Sequence, residues 1–119
     1  MNRKTSSWPL LALLCVACGS SYPEPKDALA QSEAAVRGAT EVGAEKVPDA
    51  SLHLKFARDQ VQEAKKHIDN GDNKRAAYVL MRARADAELA LMLAKTASTQ
   101  ADAKQTQEQV EELKKKVVK

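Results

Sequence analysis

The sequence predicts an all-α protein, an antiparallel three-helix up-down-up bundle with a long, protruding C-terminal helix. Its 119 residues, enough for one domain, are 44% hydrophobic but only 3% aromatic, and glycine and proline are few, a composition that favours helices over sheets. Apolar residues also recur at steps of three and four along most of the chain. Finally, Asn70-Gly71-Asp72 separates the two most regular of these runs and is typical of a tight turn between helices.

Residues 1–17 are predicted to be a signal peptide and not part of the fold. Arg3 and Lys4 precede an apolar run of ten residues, Trp8 to Ala17, which is shorter than the roughly 20 residues that a bilayer span needs. The run ends in a small residue, which is followed by Cys18. This arrangement resembles a bacterial lipoprotein signal. The resemblance implies cleavage before Cys18 and acylation of its thiol and its amine, so that lipid on Cys18 binds the membrane.

Two neighbouring residues bear on this prediction. Cys15 is a competing acceptor, but the bulky Leu14 before it favours Cys18, and Cys15 leaves with the signal. Gly19 follows Cys18 where an aspartate would signal retention, which by the same resemblance implies the outer membrane, with the protein facing the periplasm. An ordinary cleaved signal that leaves a free thiol is the alternative. In both cases the mature chain keeps one cysteine, and no disulfide is expected.

Helix 1 is expected over about residues 26–45, after a lipidated tether of residues 18–25. Pro23 and Pro25 in the tether oppose an earlier helix start. Two glycines weaken the helix by about 1 kcal/mol each relative to alanine. Its predicted inward residues are Ala28, Gln31, Ser32, Ala35, Ala39 and Val42, flanked by Leu29 and Val36.

Helix 2 is expected over about residues 50–69. A break at Val47-Pro48 precedes it, and Asp49 or Ser51 is expected to cap its N-terminus. Basic side chains fall in its last turn, where they suit the helix dipole. Its predicted inward residues are Leu54, Ala57, Val61, Ala64 and Ile68.

Helix 3 is expected over about residues 72–117, because no stop signal interrupts it. Gly71 is predicted to be left-handed and Asp72 to cap the helix, which forms a tight hairpin with helix 2. At 1.5 Å per residue its length reaches about 70 Å, so its second half overhangs the bundle as a helical arm or a fraying tail. Its predicted inward residues are Ala76, Leu80, Ala83, Ala87, Ala90, Ala94, Ala97 and Ala101.

A second stripe follows the opposite side of helix 3, again at steps of three and four. Its members are Tyr78, Met81, Ala85, Leu89, Met92, Thr96, Thr99, Ala103, Thr106, Val110, Leu113 and Val117. Large apolar side chains on a solvent-facing side are unusual in a monomer. We hypothesise that they form a seam for self-association or for a partner helix. The alternative is a scatter of tolerated surface residues, diluted by the three threonines.

The C-terminus is basic, with Lys114, Lys115 and Lys116 close to the terminal Lys119. A terminal lysine resembles that of the short helical murein lipoprotein, and this resemblance implies a covalent link to peptidoglycan. The valines at 117 and 118 depart from that pattern, which has an aromatic and a basic residue before the lysine.

The mature chain also carries a family resemblance. The features that carry it are the Tyr-Pro-x-Pro segment from Tyr22 with Asp27-Ala28-Leu29-Ala30, the break at Pro48, the run Leu54 to Ala64 and the run Ala76 to Ala94. Together these resemble bacterial lipoproteins of the domain-of-unknown-function family 4398, over roughly Tyr22 to Lys104. The resemblance implies a helical envelope protein, in some members placed ahead of a peptidoglycan-binding domain. It assigns no catalytic residue.

No constellation for catalysis or metal binding is apparent. His53 and His67 lie fourteen residues apart on one predicted helix, a separation of about 21 Å, so they do not share a metal within one chain. The i,i+4 carboxylates Asp59 and Glu63 are interpreted as solvated. No phosphate-binding loop is present. We therefore expect a protein that is not an enzyme and has no cofactor and no metal.

Charge argues against nucleic-acid binding. Removal of residues 1–17 takes away Arg3 and Lys4, so the 19 basic residues become 17 against 16 acidic ones, a net charge of +1. A basic group near the hairpin tip is interpreted as a solvated turn, with contact to anionic glycan or lipid as the alternative; it comprises Lys65, Lys66, Lys74 and Arg75.

The expected function is that of an outer-membrane-anchored periplasmic lipoprotein that serves as a structural or adaptor protein of the envelope. Its expected partners are the membrane, a second copy, or an envelope protein or peptidoglycan. The alternative is a lipid- or glycan-binding or chaperone-like module that uses a groove between helices.

Overall fold

The computed structural model describes residues 21–118, and these residues form three α-helices. They are α1 (Lys26–Glu41), α2 (Pro48–Asp69) and α3 (Asn73–Val117), with one 3-10 turn (Ala44–Lys46) between α1 and α2. The described part of the chain contains no strand. The predicted all-α class and long third helix are therefore confirmed. The predicted signal peptide, residues 18–20 of the tether and Lys119 lie outside the described residues.

Two clusters of buried residues establish the up-down-up order. Near the hairpin, Ala28 and Leu29 of α1 pack against a cluster that comprises Ala64, Val79 and Leu80. At the other end, Ala39 and Val36 of α1 join a cluster that comprises Ala44, Ala50, Leu54, Ala90 and Ala94. The start of α1 thus lies beside the start of α3, and its end lies beside the start of α2. It follows that α1 runs parallel to α3 and antiparallel to α2.

The core consists mostly of alanine. The buried apolar residues are Ala39, Ala44, Ala50, Leu54, Ala57, Val61, Ala64, Ala76, Val79, Leu80, Ala83, Ala87, Ala90 and Ala94. Alanine buries little area at roughly 25 cal/mol per Å², so the two fully buried leucines carry a large share of the hydrophobic stabilisation. Ser32 is the one buried polar residue of the described part of the chain, and its hydroxyl lies within hydrogen-bonding distance of two carbonyl oxygens, Ala28 O at 2.8 Å and Leu80 O at 3.0 Å.

The hairpin between α2 and α3 has the predicted geometry. Gly71 is left-handed, with φ of 75°. Its N–H donates to Ile68 O, and the N–H of Asp72 donates to His67 O. These two hydrogen bonds define a Schellman motif. The Asp72 carboxylate then accepts from Arg75 N at 3.3 Å and caps α3.

The predicted end of helix 1 and the predicted start of helix 2 were wrong, whereas α1 begins at Lys26 and α2 ends at Asp69, as predicted. Helix α1 ends at Glu41 and not near 45, because Gly43 takes a left-handed φ of 81° and turns the chain into the 3-10 segment. Helix α2 begins at Pro48 and not at 50, since proline suits the first turn, where its missing N–H has no partner to lose. No side chain caps α2, and the Ser51 hydroxyl donates to Pro48 O instead.

Seven residues predicted to face inward do not become fully buried. Ala28, Ala35 and Ile68 are half-buried. Gln31 is exposed because its side chain accepts a hydrogen bond from Arg84 at the surface. Val42, the residue that follows the last turn of α1, is exposed. Ala97 is half-buried and Ala101 is exposed, because α3 has passed the ends of its partners there.

Candidate functional site

The most prominent surface feature is the apolar stripe on α3, here called the outer stripe. Its seven large members are Tyr78, Met81, Leu89, Met92, Val110, Leu113 and Val117, which are between 43% and 83% exposed. The buried residues of α3 lie on the opposite side of the helix. The structure therefore places every residue of the predicted seam on the solvent side of α3, along most of its length.

The last part of α3 stands clear of the bundle. Ala94 is its last buried residue, and every described residue from 98 onward is exposed. From Ala94 to Val117 the helix continues for 23 residues, or about 35 Å. Residues 98–117, here called the arm, present the C-terminal half of the outer stripe on a single helix.

The N-terminal segment and the arm lie at opposite ends of the bundle. The Asn73 side chain donates to Tyr22 O at 3.0 Å, which holds the chain before α1 against the start of α3. The arm is the other end of that same helix. Because Cys18 precedes Tyr22 by only four residues, it is tied by a short segment to the hairpin end, although Cys18 itself lies outside the described residues.

A shallow groove of about 300 Å³ lies between α1 and α2. Val36 and Val61 are its apolar residues, and it is bordered by Glu33, Arg37, Arg58, Gln62 and Lys65. Two of these cations are already paired with carboxylates. Lys65 lies 2.8 Å from Glu33 on the groove border, and Arg58 lies 2.7 Å from Glu45 of the 3-10 turn. Arg37 beside this apolar floor suits the head and chain of an anionic amphiphile.

A polar contact between α2 and α3 was not predicted. His53 Nδ1 lies 3.0 Å from Asp86 Oδ1, and the Gln60 amide donates to Asp86 Oδ2 at 2.8 Å. Gln60 Oε1 is buried, with no hydrogen-bond partner among the described residues. Sequence spacing gave no signal for this cluster, because His53 and Asp86 are 33 residues apart. The contact fixes how α2 is rotated against α3.

The two histidines are not near one another in a shared site. His53 faces Asp86, whereas His67 lies 3.6 Å from Glu63 on its own helix. Within residues 21–118, no three His, Cys, Asp or Glu side chains come together as metal ligands.

Two further exposed apolar residues were missed by the sequence analysis. Leu52 and Phe56 on α2 are 50% and 42% exposed. The ring of Phe56 meets His53 edge to face, with centroids 6.1 Å apart. The sequence did contain a signal for their exposure: neither residue belongs to the three-and-four repeat of Leu54, Ala57 and Val61.

The basic group at the hairpin tip does not form a uniform positive patch. Lys65 is paired with Glu33, while Asp69 and Asp72 lie in the same turn as Lys74. Within the described residues, none of the three helices has a stretch apolar enough to cross a membrane.

Comparison with known protein families adds one finding. The model of the family described as a domain of unknown function (DUF4398) matches residues 27–106, which include α1, α2 and most of α3. The chain belongs to this family. Comparisons with curated proteins and with solved structures gave no match.

Proposed function

We propose that this member of the domain-of-unknown-function family 4398 is a lipid-anchored structural or adaptor protein of the bacterial outer membrane, facing the periplasm. The observation that carries the proposal is the separation of its two ends. The segment that leads from Cys18 is held at the hairpin end through Tyr22 and Asn73, and the arm leaves from the other end. An anchor on Cys18 thus sets the arm on the side away from the membrane.

The proportions of α3 support a role as a spacer. Its 45 residues span about 68 Å, and the outer stripe extends along most of this length. A protein of this shape acts by presenting a helix surface at a distance from the membrane. The proposed role is not enzymatic and needs no cofactor or metal. The exposed apolar side chains of the outer stripe support it.

The mass of the membrane-extracted protein tests the anchor. We expect a triacylated species that begins at Cys18, and its loss in Cys18→Ala. The matched control is Cys15→Ala, which removes the competing thiol and keeps the lipid on Cys18. An unmodified species that begins elsewhere in the wild type would contradict the proposal.

The groove between α1 and α2 favours a second candidate function, the binding of an anionic lipid or glycan. The specific observation is its apolar floor beside Arg37, since the other two border cations, Arg58 and Lys65, are already paired with carboxylates. We expect a saturable rise in melting temperature with short-chain phosphatidylglycerol, and a smaller rise in Arg37→Ala. Arg82→Ala, which removes an exposed arginine of α3 outside the groove, is the control. Equal rises in both variants would exclude binding in this groove.

A further inference from the structure

From Leu89 to its C-terminal end, the outer stripe has a more regular spacing than it has before Leu89. From Leu89 the steps alternate three and four without exception through Met92, Thr96, Thr99, Ala103, Thr106, Val110, Leu113 and Val117. This is the heptad repeat of a left-handed coiled coil, with Leu89 at an a position and Met92 at a d position. Before Leu89, two successive steps of four from Met81 through Ala85 break the phase. The heptad pattern therefore begins at Leu89, beside the bundle, and follows the arm to its end.

We propose that two copies of this chain pair through residues 89–117 as a parallel, in-register, two-stranded coiled coil. The pairing deepens the proposed function, because it names the partner of the arm, and its expected strength at the membrane rests on the anchor proposed there. The residues at the C-terminal end favour two strands, since Val110 and Val117 are β-branched at a positions and Leu113 is at a d position. These three side chains are exposed in the single chain.

The charges beside the stripe distinguish parallel from antiparallel pairing. The residues that flank a heptad core are those at its e and g positions: Leu93, Lys95, Gln100, Asp102, Gln107, Gln109, Lys114 and Lys116. In a parallel pair, each g residue meets the e residue five positions later in the other copy. The resulting pairs are Lys95 with Gln100, Asp102 with Gln107 and Gln109 with Lys114. None of these three pairs brings like charges together.

Antiparallel pairing brings like charges together in both registers that overlap most of the stripe. One register places Asp102 opposite the same residue of the other copy. The other register places Lys95 opposite Lys116, and does so twice by symmetry. Because like charges across a coiled-coil seam select against a register, the sequence favours the parallel arrangement.

The position of the N-terminal segment favours the same arrangement. Tyr22 lies at the hairpin end of each molecule, so two copies anchored to one membrane present their arms in the same direction and at the same height. Three threonines and one alanine in the middle of the stripe make the pair weak in dilute solution. Anchoring confines the copies to a surface and raises their effective concentration, which strengthens a weak contact without any new interaction.

Crosslinking through single cysteines tests the proposal on the full chain. The background carries Cys15→Leu, and a chain with no introduced cysteine measures any product that forms through Cys18. Leu113→Cys places a thiol in the seam, and Glu111→Cys, two residues away, places one outside it. The extracted protein, concentrated in mild detergent, is treated with a short bismaleimide. We expect several-fold more dimer from Leu113→Cys than from Glu111→Cys.

The orientation has its own measurement. An equimolar mixture of Lys95→Cys and Lys116→Cys chains is crosslinked in the same way. In the parallel pair these residues are 21 positions apart along the axis, or about 31 Å, so we expect no mixed product. A mixed Lys95–Lys116 product would overturn the parallel arrangement, and equal dimer from Leu113→Cys and Glu111→Cys would overturn the seam.

The result is separable from that of the anchor. A triacylated chain without preferential crosslinking at Leu113 rejects the pairing and leaves the anchor intact. Preferential crosslinking in a chain whose mass shows no lipid supports the pairing and rejects the anchor. The double substitution Val110→Lys with Leu113→Lys lies in the exposed arm and leaves the buried core unchanged. We expect it to reduce the dimer in sedimentation equilibrium at high protein concentration.

Discussion

Replacement of Leu54 by alanine should destabilise the bundle more than any change of equal size on its surface. Leu54 is 1% exposed and lies among alanines from all parts of the fold, including Ala39, Ala50 and Ala90. These alanines have no long side chains to fill the space, and the half-buried Val36, Val47, Leu91 and Leu93 pack against the same cluster. We therefore expect Leu54→Ala to lose about 2–5 kcal/mol of unfolding free energy, from lost transfer energy and from the cavity that remains.

Leu52→Ala is the matched control, because it makes the same chemical change two residues away on the same helix. Leu52 is 50% exposed, so its removal leaves no enclosed cavity, and we expect a loss of less than about 1 kcal/mol. Urea denaturation followed by circular dichroism measures both values. A domain of this size changes its melting temperature by roughly 4–8 °C per kcal/mol, so thermal melts resolve the difference as well.

Equal losses in the two variants would refute the packing of the core. A loss of less than about 1 kcal/mol in Leu54→Ala would lead to the same conclusion. It would mean that the surrounding residues close the cavity easily and are therefore not closely packed around Leu54. The slope of unfolding free energy against urea concentration checks that both variants expose the same amount of surface on unfolding.

Three other substitutions and one control test the hairpin between α2 and α3 and the backbone of α1. We expect Asp72→Ala to lose about 0.5–2 kcal/mol in urea denaturation by removing the cap on α3, whereas Asp69→Ala, in the same turn, is close to neutral. Gly71→Ala should lose about 1 kcal/mol, since φ there is 75°. Gly38→Ala, within α1, should instead gain about 0.5–1 kcal/mol, because alanine favours the helix and its added Cβ lies at an ordinary 3.5 Å from Leu91 of α3. The opposite order of the two glycine variants would contradict the assigned backbone.

The elements that could be predicted from the sequence are those specified by local chemistry. The Schellman turn at Gly71 and the cap at Asp72 need a few adjacent residues, and the buried stripe of α3 needs a regular period. The end of α1 was missed because the sequence does not distinguish a glycine within a helix from one with a left-handed backbone. Gly43 has the left-handed backbone. The start of α2 was missed because Pro48 suits a helix start as well as a break.

Contacts between helices were the least predictable part. The hydrogen bond between His53 and Asp86 depends on the rotation of α2 about its axis, and many rotations satisfy the same stripe of alanines. Small residues specify that two helices approach closely, but they leave the angle of contact open. The outer stripe, in contrast, could be predicted residue by residue, because a surface on one helix depends only on the helical period.

The arm also yields a prediction that joins helix physics to the proposed pairing. A separate helix of about 20 residues is marginal in water, but the arm extends a helix that the bundle has already nucleated. In a monomer, we expect amide hydrogen exchange to slow down toward Ala94 and to become steadily faster toward Val117, where only i,i+4 pairs such as Glu112 with Lys116 add support. In the paired state, the side chains at Val110 and Leu113 become buried, so exchange there should slow as protein concentration rises, while amides near Thr99 and Thr106 gain less protection. An exchange profile along the arm that is the same at low and high concentration would mean that the outer stripe remains in solvent.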